Sequence, residues 1–196
     1  MATNTTLQSI FEKNRYDYNI VKKSKTWFDQ QALLLAGKGI TPKKLLADKS
    51  NTFTTSIFPG NLYMFYYDPK HKDTLPYFDR FPMVFPWKKT EGGFIGLNLH
   101  YLPYGLRVRL MDKLMIFKTD SAMTEQTRLK FSWGLIDGVA KFAPAAPCVK
   151  QYLTDHVKSP FIKVHAKDWP TAMMMPVESF VGASRQTVWQ DSVKQI

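Results

Sequence analysis

The stretch Gly60 to Pro103, GNLYMFYYDPKHKDTLPYFDRFPMVFPWKKTEGGFIGLNLHYLP, constrains this chain more than any other. It concentrates aromatic residues and prolines, and its apolar runs are short and bounded by turn-forming residues, the pattern of strands. Asn51 to Phe58 is rich in Thr, Phe and Ile and stops at Pro59-Gly60, a strand followed by a turn. Asn61 to Tyr67 is apolar on both faces, which suits a strand that is central or covered on both sides. Asp68-Pro69 ends it, because proline has no N–H for a ladder. Lys70 to Arg80 is a long charged connection, and Pro82 to Trp87 reads as an edge strand bracketed by prolines. Lys88 to Gly93 is a turn. Phe94 to His100 then alternates Phe94, Gly96, Asn98 and His100 with Ile95, Leu97 and Leu99, the period of a half-buried strand. The prediction is a small antiparallel SH3-like β-barrel from Phe53 to His100.

The flanks follow a different period. Residues 1–50 read as a basic helical arm with nine Lys and Arg against four Asp and Glu. Leu7, Ile10 and Phe11 form a short apolar stripe. Ser24 is a candidate cap for a helix through Trp27, Phe28, Leu33, Leu34 and Leu35 that ends at Gly37 or Gly39. Thr41-Pro42 places a capping oxygen before a first-turn proline and opens a short helix from Lys43 to Asp48. Past Pro103, Leu106, Leu110, Leu114 and Met115 fit one helical face, with Arg107, Arg109, Asp112 and Lys113 on the other. Thr124 opens a further helix that runs to Phe142, and a shorter one is predicted from Cys148 to His156. Phe161 to His165 reads as a strand returning to the sheet, and Trp169-Pro170 as a helix start with Met173 to Met175 behind it. The fold class expected is α+β: an arm over 1–50, a core with the barrel over 51–175, and a tail over 176–196. Phe180 and Trp189 are expected to pin that tail to a neighbour.

The charge balance, 27 Lys and Arg against 16 Asp and Glu, gives a net +11 and calls for an acidic partner. Nucleic acid comes first, then an anionic protein or membrane surface. The candidate phosphate contacts are Lys22, Lys23, Lys43, Lys44, Lys88, Lys89, Arg107 and Arg109. The one cysteine, Cys148, supports neither a disulfide framework nor a zinc site within the chain and suits a reducing compartment. The first residues lack the apolar run of a signal peptide, and no stretch reaches the ~18–20 apolar residues of a membrane span.

Catalytic signatures are sparse. His71, His100, His156 and His165 have no partners at metal-ligand spacing. One loop gathers His71 with Asp68, Asp73 and Asp79, which suits either a metal-dependent phosphodiesterase or a solvated turn. Tyr63, Phe65, Tyr66 and Tyr67 suit either a base-stacking platform or a barrel core. No nucleophile elbow, P-loop or dinucleotide fingerprint occurs. No cofactor, metal or small-molecule ligand is expected.

Three runs carry a resemblance: Tyr63 to Lys70 (YMFYYDPK), Thr74 to Pro82 (TLPYFDRFP) and Gly96 to Pro103 (GLNLHYLP). From about Gly60 to Lys113, with a weaker echo from Phe161 to Ser184, the chain resembles virion proteins of large contractile-tailed bacteriophages. It is most like the DNA end protector proteins of marine members. The resemblance implies a non-enzymatic virion protein, made in the host cytoplasm, at the end of packaged double-stranded DNA near the head–tail region. Its partners would be the phosphate backbone and other head, neck or tail proteins, with no membrane. It supplies no catalytic residues. The alternatives are a purely structural tail or baseplate subunit, and a metal-dependent nuclease using Asp68, His71 and Asp73.

Overall fold

The structure, a computed structural model, describes residues 25–115 and 143–196. Ser24, Lys22, Lys23, the Leu7–Phe11 stripe and the helix expected from Thr124 to Phe142 lie outside the described residues. Helix α1 (Lys25–Ala36) buries Phe28, Ala32 and Leu35 along one face and leaves Leu33 and Leu34 exposed. Gly39, at φ 62°, turns the chain after it. Helix α2 (Pro42–Ala47) starts as the sequence predicts: Thr41 Oγ1 accepts the backbone N–H of Lys44 at 3.3 Å, and Pro42 occupies the first turn.

The described residues then form eight strands: β1 (Phe53–Thr54), β2 (Leu62–Met64), β3 (Phe78–Asp79), β4 (Met83–Thr90), β5 (Gly93–Asn98), β6 (Val149–Leu153), β7 (Phe161–Val164) and β8 (Phe180–Val181). Six form one antiparallel sheet in the order β1-β7-β2-β4-β5-β6, and β3 pairs with β8. The remaining α-helices among the described residues are α3 (Tyr104–Met115), α4 (Trp169–Ala172) and α5 (Arg185–Lys194).

Both faces of the sheet are apolar. Leu62, Met64, Met83, Phe85, Leu97, Ile162 and Val164 face the helices, where Phe28, Leu45, Val108, Met111, Trp169 and Met173 to Met175 meet them. Tyr63, Phe65, Tyr67, Val84, Phe94, Tyr152 and Phe161 form a separate cluster. Strand alternation divides the two sets. Phe65 has no exposed surface and meets Phe161 and Tyr152 edge-on at 4.9 and 5.4 Å. Each such fully buried ring contributes about 1.5–3 kcal/mol of transfer free energy.

The sheet is not closed into the expected SH3-like barrel. Its outer strands, β1 and β6, do not pair. It curls instead: beyond Met64, Tyr66 and Asp68 bond the backbone of Lys158 and His156, and Tyr67 bridges Val157. Two of its strands come from beyond Cys148, so residues Phe53 to His100 cannot complete it alone. The strand expected to return at Phe161 is β7, which lies between β1 and β2.

Two further corrections concern single elements. Val149 to Leu153, predicted within a helix, is β6 and pairs with β5 along its length. Pro82 to Trp87, predicted as an edge strand, forms most of the central strand β4. Pro86 is tolerated there because the β4–β5 register shifts between Pro86 and Lys88, and the β2–β4 ladder already ends at Val84. The hairpin is tighter than expected. Thr90 pairs with Gly93, leaving Glu91 and Gly92 as the turn, with Gly92 at φ 69°. Lys88 and Lys89 are therefore strand residues rather than tip residues.

Candidate nucleic-acid interface

Of the eight predicted phosphate contacts, Lys22 and Lys23 lie outside the described residues. Lys43 and Lys44 are exposed on α2, Lys88 and Lys89 on β4, and Arg109 on α3. Lys44 also donates from Nζ to the carbonyl of Gly39 at 2.9 Å.

Arg107 corrects the prediction. Its side chain has no exposed surface, and its guanidinium is spent inside the protein. Nε donates to Leu102 O at 2.6 Å and Nη1 to Met173 O at 3.0 Å. Nη2 donates to His100 O at 3.2 Å and Glu178 Oε1 at 3.1 Å. The plane lies over the rings of Tyr104 and Trp189, 4.7 and 5.3 Å from their centroids. A buried cation needs a paired anion and saturated donors, and Glu178 and three carbonyls supply both. Arg107 therefore clasps α3 to the segment behind α4 and to α5. Trp189 joins by donating from Nε1 to His100 O at 2.9 Å. Phe180 and Trp189, expected to reach a neighbour, thus tie the last residues to their own core: Phe180 pairs with Asp79 in the β3–β8 ladder.

A second buried cluster lies beside the clasp. Asp79 Oδ2 accepts His100 Nδ1 at 2.7 Å and Asn98 Nδ2 at 3.2 Å, and Oδ1 accepts the backbone N–H groups of Phe81 and Ser179 at 3.0 and 3.1 Å. Burial pushes this carboxyl up, but His100 and the other donors outweigh it and hold it below the ordinary carboxylate value. Cys148 is fully buried, and burial pushes its thiol up to about 12, so it is an inert core residue.

The loop carboxylates do not converge. Asp68 pairs with Lys72 Nζ at 3.0 Å, and His71 and Asp73 are exposed. Among the described residues, no group of three His, Cys, Asp or Glu is placed to hold a metal ion. Tyr63, Phe65 and Tyr67 are buried in the aromatic layer, and Tyr66 is half-buried, so these rings serve as core. Burial raises the hydroxyls of Tyr63 and Tyr67. A cavity of about 730 Å³ lies among α1, α3 and α5, lined by Phe28, Tyr104, Val108 and Trp189 with Arg109 and Lys194. Among the described residues, no helix is long and apolar enough to cross a membrane.

Strand polarity gathers cations that lie far apart in sequence. β7 runs antiparallel to β1 and β2, and β2 antiparallel to β4. One end of the sheet therefore holds the start of β1, the end of β7 and the end of β4. Lys49 precedes β1, His165 and Lys167 follow β7, and Lys88 and Lys89 end β4; all five side chains are exposed. Thr52 Oγ1 lies 3.2 Å from His165 Nε2, joining the first two segments. Asn51 Nδ2 donates to Leu45 O at 2.6 Å, which holds α2 and its lysines beside the same end. The eight predicted contacts do not include Lys49, His165 or Lys167. The signal available was the returning strand: placing Phe161 to Val164 beside β1 brings residue 165 next to residues 50–52.

No curated protein and no solved structure matches the chain. A family model does: that of the phage T4 terminal DNA protecting protein matches residues 8–192. With nearly its whole length matched, the chain belongs to the family of phage terminal DNA protecting proteins.

Proposed function

We propose that this protein is a non-enzymatic virion component that covers the end of packaged double-stranded DNA at the head–tail region, alongside head, neck or tail proteins. The family match over residues 8–192 carries this reading. The charge supports it: the chain is +11 overall, and Lys43, Lys44, Lys49, Lys88, Lys89 and Lys167 stand exposed around one end of the sheet. Arg109 is a further exposed cation of the predicted set, whereas Arg107 leaves it. Contact is to phosphates, which carry affinity without sequence information. The acidic side chains at this end are Asp48, Glu91, Asp155 after β6 and the buried Asp168. Asp48 accepts the Ser50 hydroxyl at 2.7 Å, and Glu91 sits at the hairpin turn.

Gel retardation of a linear duplex across a salt series tests this reading. Each neutralised phosphate contributes about −0.9 to the slope of log affinity against log salt, so engagement of the six lysines gives about −5. No retardation of linear duplex at low salt overturns it.

A further inference from the structure

An end-binding protein must distinguish a terminus from the middle of a duplex, and phosphates alone do not supply that distinction. Only at a terminus is the flat face of a base pair open to solvent. A protein group that uses it has to be exposed, planar and apolar, and flanked by cations that hold the backbone. The lysine end of the sheet carries such a group. Phe58 is 59% exposed, whereas most other rings among the described residues are buried or partly buried. It opens the turn that leads through Pro59 and Gly60 into β2, with Asn61 N–H donating to Phe58 O at 3.4 Å and Gly60 at φ 89°.

The turn is anchored and the ring is not. Phe58 N–H donates to the hydroxyl of Tyr63 at 3.1 Å, and Tyr63 is fixed in the aromatic layer against Phe161. The turn precedes the start of β2, which pairs with β7 at Leu62↔Val164 and with β4 at Tyr63↔Val84. It therefore stands at the same end of the sheet as His165 and Lys167 on one side and Lys88 and Lys89 on the other. The Phe58 ring is thus mostly exposed to solvent at the end of the sheet that carries Lys167, Lys88 and Lys89.

We propose that Phe58 stacks on the terminal base pair of duplex DNA while Lys88, Lys89, Lys49 and Lys167 hold the phosphates around it. This rests on the DNA-end reading above and adds the feature that makes the contact end-specific. The lysines bind any duplex, and the ring adds affinity only where a base pair has lost its stacking neighbour. Stacking on an aromatic side chain is sequence-tolerant, as a protein that covers an end of arbitrary sequence requires.

The test compares two duplexes of equal length and sequence, one blunt-ended and one closed at both ends by hairpin loops, by fluorescence anisotropy with the full chain. The unaltered protein is expected to prefer the blunt duplex. Phe58→Ala is expected to lose about 5- to 100-fold affinity for the blunt duplex and little for the closed one. Phe58→Trp is expected to retain the preference. Lys88→Glu with Lys89→Glu is expected to weaken both duplexes together and leave their ratio unchanged. A Phe58→Ala protein that keeps the full preference overturns this inference and leaves the functional reading standing. Failure of the unaltered chain to bind either duplex at low salt overturns both. All of these residues are exposed, and a thermal melt of each variant confirms that it folds.

Discussion

The two ends of the sheet handle charge in opposite ways. At one, Asp79, His100, Arg107 and Glu178 are buried and bonded to one another and to backbone. At the other, Lys49, Lys88, Lys89 and Lys167 stand in solvent. Arg107 and Arg109 make the contrast within two residues of one helix: the first is enclosed, the second exposed. The enclosed groups hold β3, β8, α3 and α5 together, because removing any one strands its partners in a low-dielectric interior. The exposed lysines add little to stability and remain available to a partner. Net charge alone separates neither population. Burial does.

Substitutions at the enclosed end carry the largest effects. Arg107→Ala leaves Glu178 without its buried cation and takes a donor from the carbonyls of Leu102, Met173 and His100, of which His100 O keeps Trp189 Nε1. We expect a loss of about 3–5 kcal/mol, read from the urea midpoint. DNA affinity per folded molecule stays unchanged, and a loss of affinity at full stability would place Arg107 at the interface and break the comparison.

Asp79→Asn follows, at about 3 kcal/mol, since the charge that His100 faces is lost. Asp79 also gives this end a pH signature. Its carboxyl titrates lower in the folded chain than in the unfolded one. Its contribution is therefore fully present above the ordinary carboxylate range and is lost as pH falls through the folded value. Urea titrations between pH 3 and 6 should show a drop in stability toward acid that Asp79→Asn lacks.

Gly96→Ala tests the sheet between the two ends. A Cβ there would collide with Val84 Cγ1 and lie 2.9 Å from Phe85 O, so overpacking should cost about 1–3 kcal/mol by thermal melt. The smallest stability change belongs to the exposed end. Lys88→Glu with Lys89→Glu should shift stability by no more than about 0.5 kcal/mol while making the salt slope of DNA binding shallower by about 2.

Local chemistry was legible in the sequence. Thr41-Pro42 caps α2, Asn61 to Tyr67 is covered on both faces, and Phe161 starts a returning strand. What failed depends on partners distant in sequence. Val149 to Leu153 has no clean alternation, and only its pairing with β5, more than fifty residues earlier, makes it a strand. Arg107 looked like a surface cation because its anion, Glu178, lies 71 residues away. The barrel was drawn from residues 53–100, but the sheet takes two of its strands from beyond residue 148 and curls without pairing its edges. Of the proposed interface, Lys43, Lys44, Lys88 and Lys89 were named from sequence. Lys49, Lys167 and Phe58 come to the same end of the sheet only through strand polarity.

Protection of a DNA end is read from digestion of a blunt linear duplex by a double-strand-end exonuclease. The unaltered chain should preserve full-length DNA at low salt, protection should fade as salt rises, and Lys88→Glu with Lys89→Glu should abolish it without unfolding the protein. Digestion at the same rate with and without the unaltered chain would contradict end protection.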